Sequence, residues 1–132
     1  MLTFAFDVDG TLIDSLSGTS LRPGTTELID RLSSTGHRVV LWSAGGATYA
    51  AERAATHGIE ADAFFDKDLR DADGRYVATA LSLEGAEVIF IDDRPEDMPR
   101  DATVIALSPY LSHNPHDRGL DRVVVWLDSA GH

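Results

Sequence analysis

Apolar residues in this chain come in short runs, and stretches of helical period separate them. Residues 2–8 are almost wholly apolar and predict a buried strand that breaks at Asp9-Gly10. Pro23-Gly24 opens a helical stretch over 25–35, with Leu28, Ile29 and Leu32 on one face and Gly36 as its stop. A second strand, 38–42, runs into Ser43-Ala44-Gly45-Gly46. An alanine-rich helix over 47–57 follows and closes at Gly58. Short apolar runs at 63–65, 87–91 and 103–107 predict three further strands. The tail, 120–127, reads as helix or strand, because its β-branched residues favour one and its place after a strand favours the other.

Buried strands alternating with helices imply βαβ units. The expected fold is a Rossmann-like α/β three-layer sandwich with a central, mostly parallel sheet. Open sheets of this kind bind ligands beyond the carboxyl ends of their strands. Asp7 and Asp9 follow the first strand, Ser43 the second, Lys67 the third, and Asp92 and Asp93 the fourth. These polar groups are therefore expected on one rim.

Composition narrows the class. A chain of 132 residues with 43% hydrophobic and 25% charged positions is expected to form one domain, 1–132, around a single core. The sequence has no cysteine, which removes disulfides, thiolate nucleophiles and cysteine-ligated metals. Its longest apolar run, 123–127, is far too short for a membrane span, and the N-terminal stretch lacks the basic region of a secretory signal. A cytoplasmic setting without membrane partners is expected. The net charge of −11 repels phosphate backbones, so nucleic acid is not an expected partner, although an acidic site suits divalent cations.

The segment Phe4-Ala5-Phe6-Asp7-Val8-Asp9-Gly10-Thr11-Leu12 resembles the first motif of the haloacid dehalogenase-like (HAD) superfamily. Ser43 after an apolar strand resembles the second motif, Lys67 the third and Ile91-Asp92-Asp93 the fourth, all in the family's order. The resemblance implies a phosphatase. Phosphoryl transfer needs an in-line nucleophile, neutralisation of the equatorial oxygens and protonation of the leaving group. Asp7 is then the nucleophile that forms an aspartyl-phosphate. Asp9 serves as general acid and base, with Gly10 permitting the turn that folds it toward the phosphate. Ser43 and the Ala44 N–H, with Gly10 and Thr11, would bind the phosphate, and Lys67 would neutralise charge beside the nucleophile. Mg²⁺ would take oxygen from Asp7, the Asp9 carbonyl and Asp92, with Asp93 acting through water or by orienting Lys67. Lys67 is the sole lysine among the 11 basic residues, which sets it apart from a background of arginine.

Other readings of the same residues are weaker. An EF-hand calcium loop would place its glycine at position six, whereas Gly10 stands at position four. A phosphorelay receiver domain carries its acidic pair after the first strand, and here the pair comes late. A non-catalytic phosphate- or protein-binding relative would keep the fold without turnover. His113 and His116 straddle Pro115 and read as a polar loop rather than a zinc pair. Asp9 argues against halide displacement and ion pumping, because the resemblance places other residue types there in those members. Residues 12–42 and 44–66 are consumed by predicted helices and strands, so no cap domain is expected, and only 13–22 remains as a mobile flap. An open rim of this kind suits a small phosphorylated metabolite or a phosphoprotein, with a neighbouring subunit as a conceivable cover.

Overall fold

The computed structural model describes residues 1–78 and 87–132. Five parallel strands, β1 (Leu2–Phe6), β2 (Arg38–Ser43), β3 (Ala63–Asp66), β4 (Glu87–Asp92) and β5 (Thr103–Ala106), form one sheet in the order β3-β2-β1-β4-β5. The described helices are α1 (Thr25–Ser34), α2 (Ala47–His57) and α3 (Asp121–Ala130), with a 3-10 turn at Pro95–Asp97. The expected Rossmann-like α/β architecture is what forms.

Every residue of β1 is buried, as a central parallel strand covered on both faces requires. Its alternate side chains go to different cores. Phe4 and Phe6 join Leu41, Ile89 and Ile91 beneath all three described helices, through Leu28, Leu32, Ala50, Ala54, Val123 and Leu127. Ala5 faces the other way, with Val40, Trp42 and Phe90, and Ala78 and Met98 close that side. The chain builds outward from β1 to β3, then returns to place β4 on the free edge of β1. The order of strands thus reverses between β1 and β4, and the crevice at such a reversal is where these sheets bind ligands.

Three expectations change in detail. The first strand stops at Phe6 rather than at Val8, because the Val8 carbonyl accepts hydrogen bonds from the N–H groups of Thr11, Leu12 and Ile13 and turns the chain. The tail is helical: Leu120, Val123 and Leu127 are buried at helical spacing, so packing on the sheet overrides the weak preference of β-branched residues, and Gly131 ends the helix at φ 78°. The segment 13–22 is not a flap. Ile13, Asp14 and Arg22 are buried, and the Asp14 carboxylate accepts hydrogen bonds from the Ser17 N–H (2.8 Å), the Ser17 hydroxyl (2.7 Å) and the Ser20 N–H (2.8 Å). The Ser17 hydroxyl and these N–H groups hold the Asp14 carboxyl well below the usual carboxylate range. No described helix is long and apolar enough to cross a membrane.

Candidate active site

The Asp7 N–H donates to the Ile91 carbonyl at 3.0 Å, which pins the first residue beyond β1 to the seam with β4. Three residues on, Gly10 has φ 82°, and a Cβ there would lie 2.8 Å from Asp93 Oδ2. Only glycine fits both the turn and the approach of the β4 loop. The turn also buries Thr11, whose hydroxyl donates to Asp7 Oδ2 at 3.1 Å and fixes the carboxylate from below.

Lys67 follows β3, and its N–H donates to the Ser43 carbonyl at 2.8 Å, which carries the side chain toward the seam. Its ammonium bridges Asp7 Oδ1 and Asp92 Oδ2, each at 2.9 Å, and is almost wholly buried. The rings of Trp42 and Tyr76 flank it, with centroids 5.2 and 5.3 Å from Nζ. Asp92 Oδ1 takes the Arg94 N–H at 2.8 Å. Among the described residues, oxygens of Asp7, Asp92 and Asp93 come within 4.8 Å of one another.

Two carboxylates thus share one ammonium, a third lies close by, and their ionisation shows the imbalance. Burial pushes Asp7 up to about 6, although Lys67 pulls against it; Asp93 adds to the rise. Burial and the charge of Asp7 raise Asp92 as well, again against Lys67. Burial also raises Asp93. Lys67 is pulled down by burial, but the charges of Asp7 and Asp92 more than compensate and hold it above its ordinary value. Hard oxygen donors carrying excess negative charge are what Mg²⁺ or Ca²⁺ ligation requires, so the residues present fit such an ion.

The remaining expected residues divide. Ser43 is buried at the end of β2, with Oγ accepting the Gly45 N–H at 3.1 Å; Ala44 is exposed beside it. The helix after it starts at Ala47, as expected, and the Ala47 N–H is capped by Asp66 Oδ1 at 2.6 Å. Asp7, Asp9, Ser43, Ala44, Lys67, Asp92 and Asp93 all line one cavity of about 470 Å³, while Gly10 and Thr11 lie behind it. Asp9 stands apart from the three clustered carboxylates. It is exposed, and both its oxygens accept from the Tyr49 hydroxyl, at 2.9 and 2.8 Å. His113 and His116 are exposed and join no metal-binding cluster among the described residues.

Of the arginines, Arg70 and Arg94 line the cavity. Arg22 is buried in a pair with Asp117, Arg100 pairs with Asp71 and Asp73, and Arg118 pairs with Asp121. Asp97 ends the 3-10 turn and lines the cavity, 4.0 Å from Arg70. Sequence reasoning missed Tyr49, Tyr76 and Arg70. Tyr49 was findable in part, as the one aromatic residue in an alanine-rich helix directly after Ser43. Tyr76 and Arg70 lie in a loop with no periodic signal.

An α/β sheet with an Asp-x-Asp turn at its switch point, a strand-end serine, a buried lysine and a late aspartate pair defines a HAD-like phosphatase fold. Residues 2–131 match the NLI interacting factor-like phosphatase family, and the chain belongs to that family, whose members are capless. No curated protein matches the chain. One solved structure, that of the Pnkp1/Rnl/Hen1 RNA repair complex, is similar at a TM-score of 0.46 and 20% identity, over 79% of this chain and 42% of that one. The chain therefore spans less than half the length of that neighbour.

Proposed function

We propose that residues 1–132 form one catalytic domain that hydrolyses phosphomonoesters in the cytoplasm through an aspartyl-phosphate on Asp7, with Mg²⁺ as cofactor. The observation that supports this most is the Asp7 carboxylate itself. It sits at the switch point, held by Thr11 and Lys67 and facing the cavity. Asp7, the Asp9 carbonyl and Asp92 would hold the cation, with Asp93 close beside them, and the ion when bound would supply charge neutralisation for the phosphoryl oxygens.

The protein's own groups carry the chemistry in two displacements. An Asp7 oxygen attacks phosphorus in line, the bond from phosphorus to the ester oxygen breaks, and the departing oxygen takes a proton from the Asp9 carboxyl. Water then attacks the phosphorus and gives a proton to the Asp9 carboxylate, while the bond to Asp7 breaks and inorganic phosphate leaves. Lys67 stays charged throughout and offsets the growing negative charge. Ser43 and the Ala44 backbone would bind the phosphoryl oxygens.

The substrate class we favour is a small phosphorylated metabolite, then a phosphoprotein. Nucleic acid is disfavoured by the charge of −11, and pairing removes Arg22, Arg100 and Arg118 from any basic track. The test is a panel of phosphorylated metabolites, phosphopeptides and nucleic-acid ends, assayed with Mg²⁺, with chelator and with Ca²⁺. Activity should need Mg²⁺ and fall with Ca²⁺, whose looser shell misplaces the nucleophile. Full turnover in chelator would remove the cofactor. A preference for nucleic-acid ends above about tenfold, or ~1.4 kcal/mol, would overturn the substrate class.

A further inference from the structure

On the reading above, in which Asp9 exchanges the proton with the leaving group, we infer that Tyr49 is the positioning residue for Asp9. The Tyr49 hydroxyl, whose one proton is shared between Asp9 Oδ1 at 2.9 Å and Oδ2 at 2.8 Å, is the only hydrogen-bond partner of the Asp9 carboxylate among the described residues. Asp9 is exposed on a turn, so nothing else in the described structure fixes its direction.

Tyr49, by contrast, is aimed by rigid parts. It lies in the first turn of α2, next to the fully buried Ala50, and Asp66 anchors the start of that helix through the Ala47 N–H. Its ring packs close against Gly45, where a Cβ would come within 2.7 Å of Tyr49 Cδ2. Gly45 itself lines the cavity beside Ser43. The loop expected to receive the phosphate is therefore mechanically joined, through one ring, to the carboxyl that handles the proton.

The hydroxyl suits both halves of the reaction. A phenol donates a hydrogen bond to a carboxylate and accepts one from a carboxylic acid. It can hold Asp9 in one place before and after the proton passes to the leaving oxygen, and again when water returns one. Tyr49 neither gains nor loses a proton over the cycle.

The experiment compares Tyr49→Phe with the unaltered protein on phenyl phosphate and 4-nitrophenyl phosphate, which differ little in size but greatly in leaving-group quality. The readout is kcat/KM, which reports the step that expels the leaving group. Nitrophenolate departs without help, whereas phenolate needs a proton. General acid catalysis typically contributes about 10²-fold or more. Tyr49→Phe should therefore lose ~10-fold or more on phenyl phosphate and less than about 2-fold on 4-nitrophenyl phosphate, with an unchanged melting temperature. Equal losses on both substrates, or none on either, would overturn the role of Tyr49. Asp9→Asn is run in parallel: if it also shows equal losses, the acid role of Asp9 fails, whereas a split in Asp9→Asn without one in Tyr49→Phe sinks the inference about Tyr49 alone. Should Tyr49→Phe fail to fold, Tyr49→Met, which also removes the hydroxyl, must show the same split.

Discussion

Among the described residues two cationic side chains, Arg22 and Lys67, are buried, and their surroundings differ. Arg22 sits under the 13–22 and 108–118 loops with every branch of its guanidinium satisfied: Nε to Asp117 Oδ1 at 2.7 Å, Nη2 to the Ser108 carbonyl at 2.8 Å, and Nη1 to the Thr11 carbonyl at 3.2 Å. Tyr110 packs against it, with Cζ 5.4 Å from the ring centroid. One charge meets one charge. Burial would raise Asp117, but the hydrogen bonds from Arg22 and the Gly119 N–H outweigh it and leave the carboxyl below its ordinary value. At Lys67 one ammonium meets a group of three carboxylates, and all of these are raised. A balanced buried pair holds loops together. An unbalanced one gives up stability and leaves carboxylates ready for a cation and a phosphate.

Replacing one partner in each centre is the sharpest way to test that contrast. Asp7→Asn should lose turnover by on the order of 10⁴-fold or more and trap no phosphoenzyme, because the nucleophile acts with its neighbours as a unit. Lys67→Met should lose ~10²-fold or more in kcat. Near-normal steady-state rates in either variant would dissolve the chemical half of the comparison.

Arg22→Met should act on folding instead. It strands Asp117 and two carbonyls, at a cost of about 3–5 kcal/mol by urea denaturation. A cost below about 1 kcal/mol would mean that the guanidinium is not the tie between these loops.

The Asp93→Asn substitution removes a charge from the crowded centre without touching the Lys67 bridge. In chelator it should raise stability by about 1 kcal/mol, a melting shift of roughly 4 °C. Added Mg²⁺ should shrink that gain, because the unaltered site then has its counter-charge. A lowered melting temperature in chelator would show that the crowding carries no strain.

The smallest effect concerns acid. Because Asp117 has a folded value below the unfolded 3.8, its contribution is complete above pH 3.8 and is lost as the pH falls through the lower folded value. Arg22→Met should flatten that limb of the stability curve below about pH 4, measured by thermal melts across an acid series. An unchanged limb would place the acid sensitivity elsewhere, with Asp14 the next group to examine.

Much of this arrangement was legible along the chain. Apolar runs wide enough to fill both faces of a sheet marked β1, β2 and β4, and a chemically capable side chain ends β2 and β4 and follows directly on β1 and β3. Asp7, Lys67 and Asp92 were identified that way, and all three meet within hydrogen-bonding distance. The tail was ambiguous, because its residues suit either element and only burial against β5 and α1 resolves it. Arg22 misled: in sequence it belongs to a polar loop of serines and glycine, and nothing local says that Asp117, 95 residues later, waits for it.

The sequence alone determined which segments are buried strands and that acids, a hydroxyl and one lysine collect on a single rim, because period and burial are local properties of the chain. What the tertiary structure decided is where side chains point once there. Asp9, two residues from Asp7, turns to Tyr49 while Asp7 turns to Lys67, 60 residues away. A segment that looked free is tied by Asp14 and Arg22. These outcomes depend on distant partners competing for the same hydrogen bonds in a space that water has left, and that competition begins only when the chain has closed.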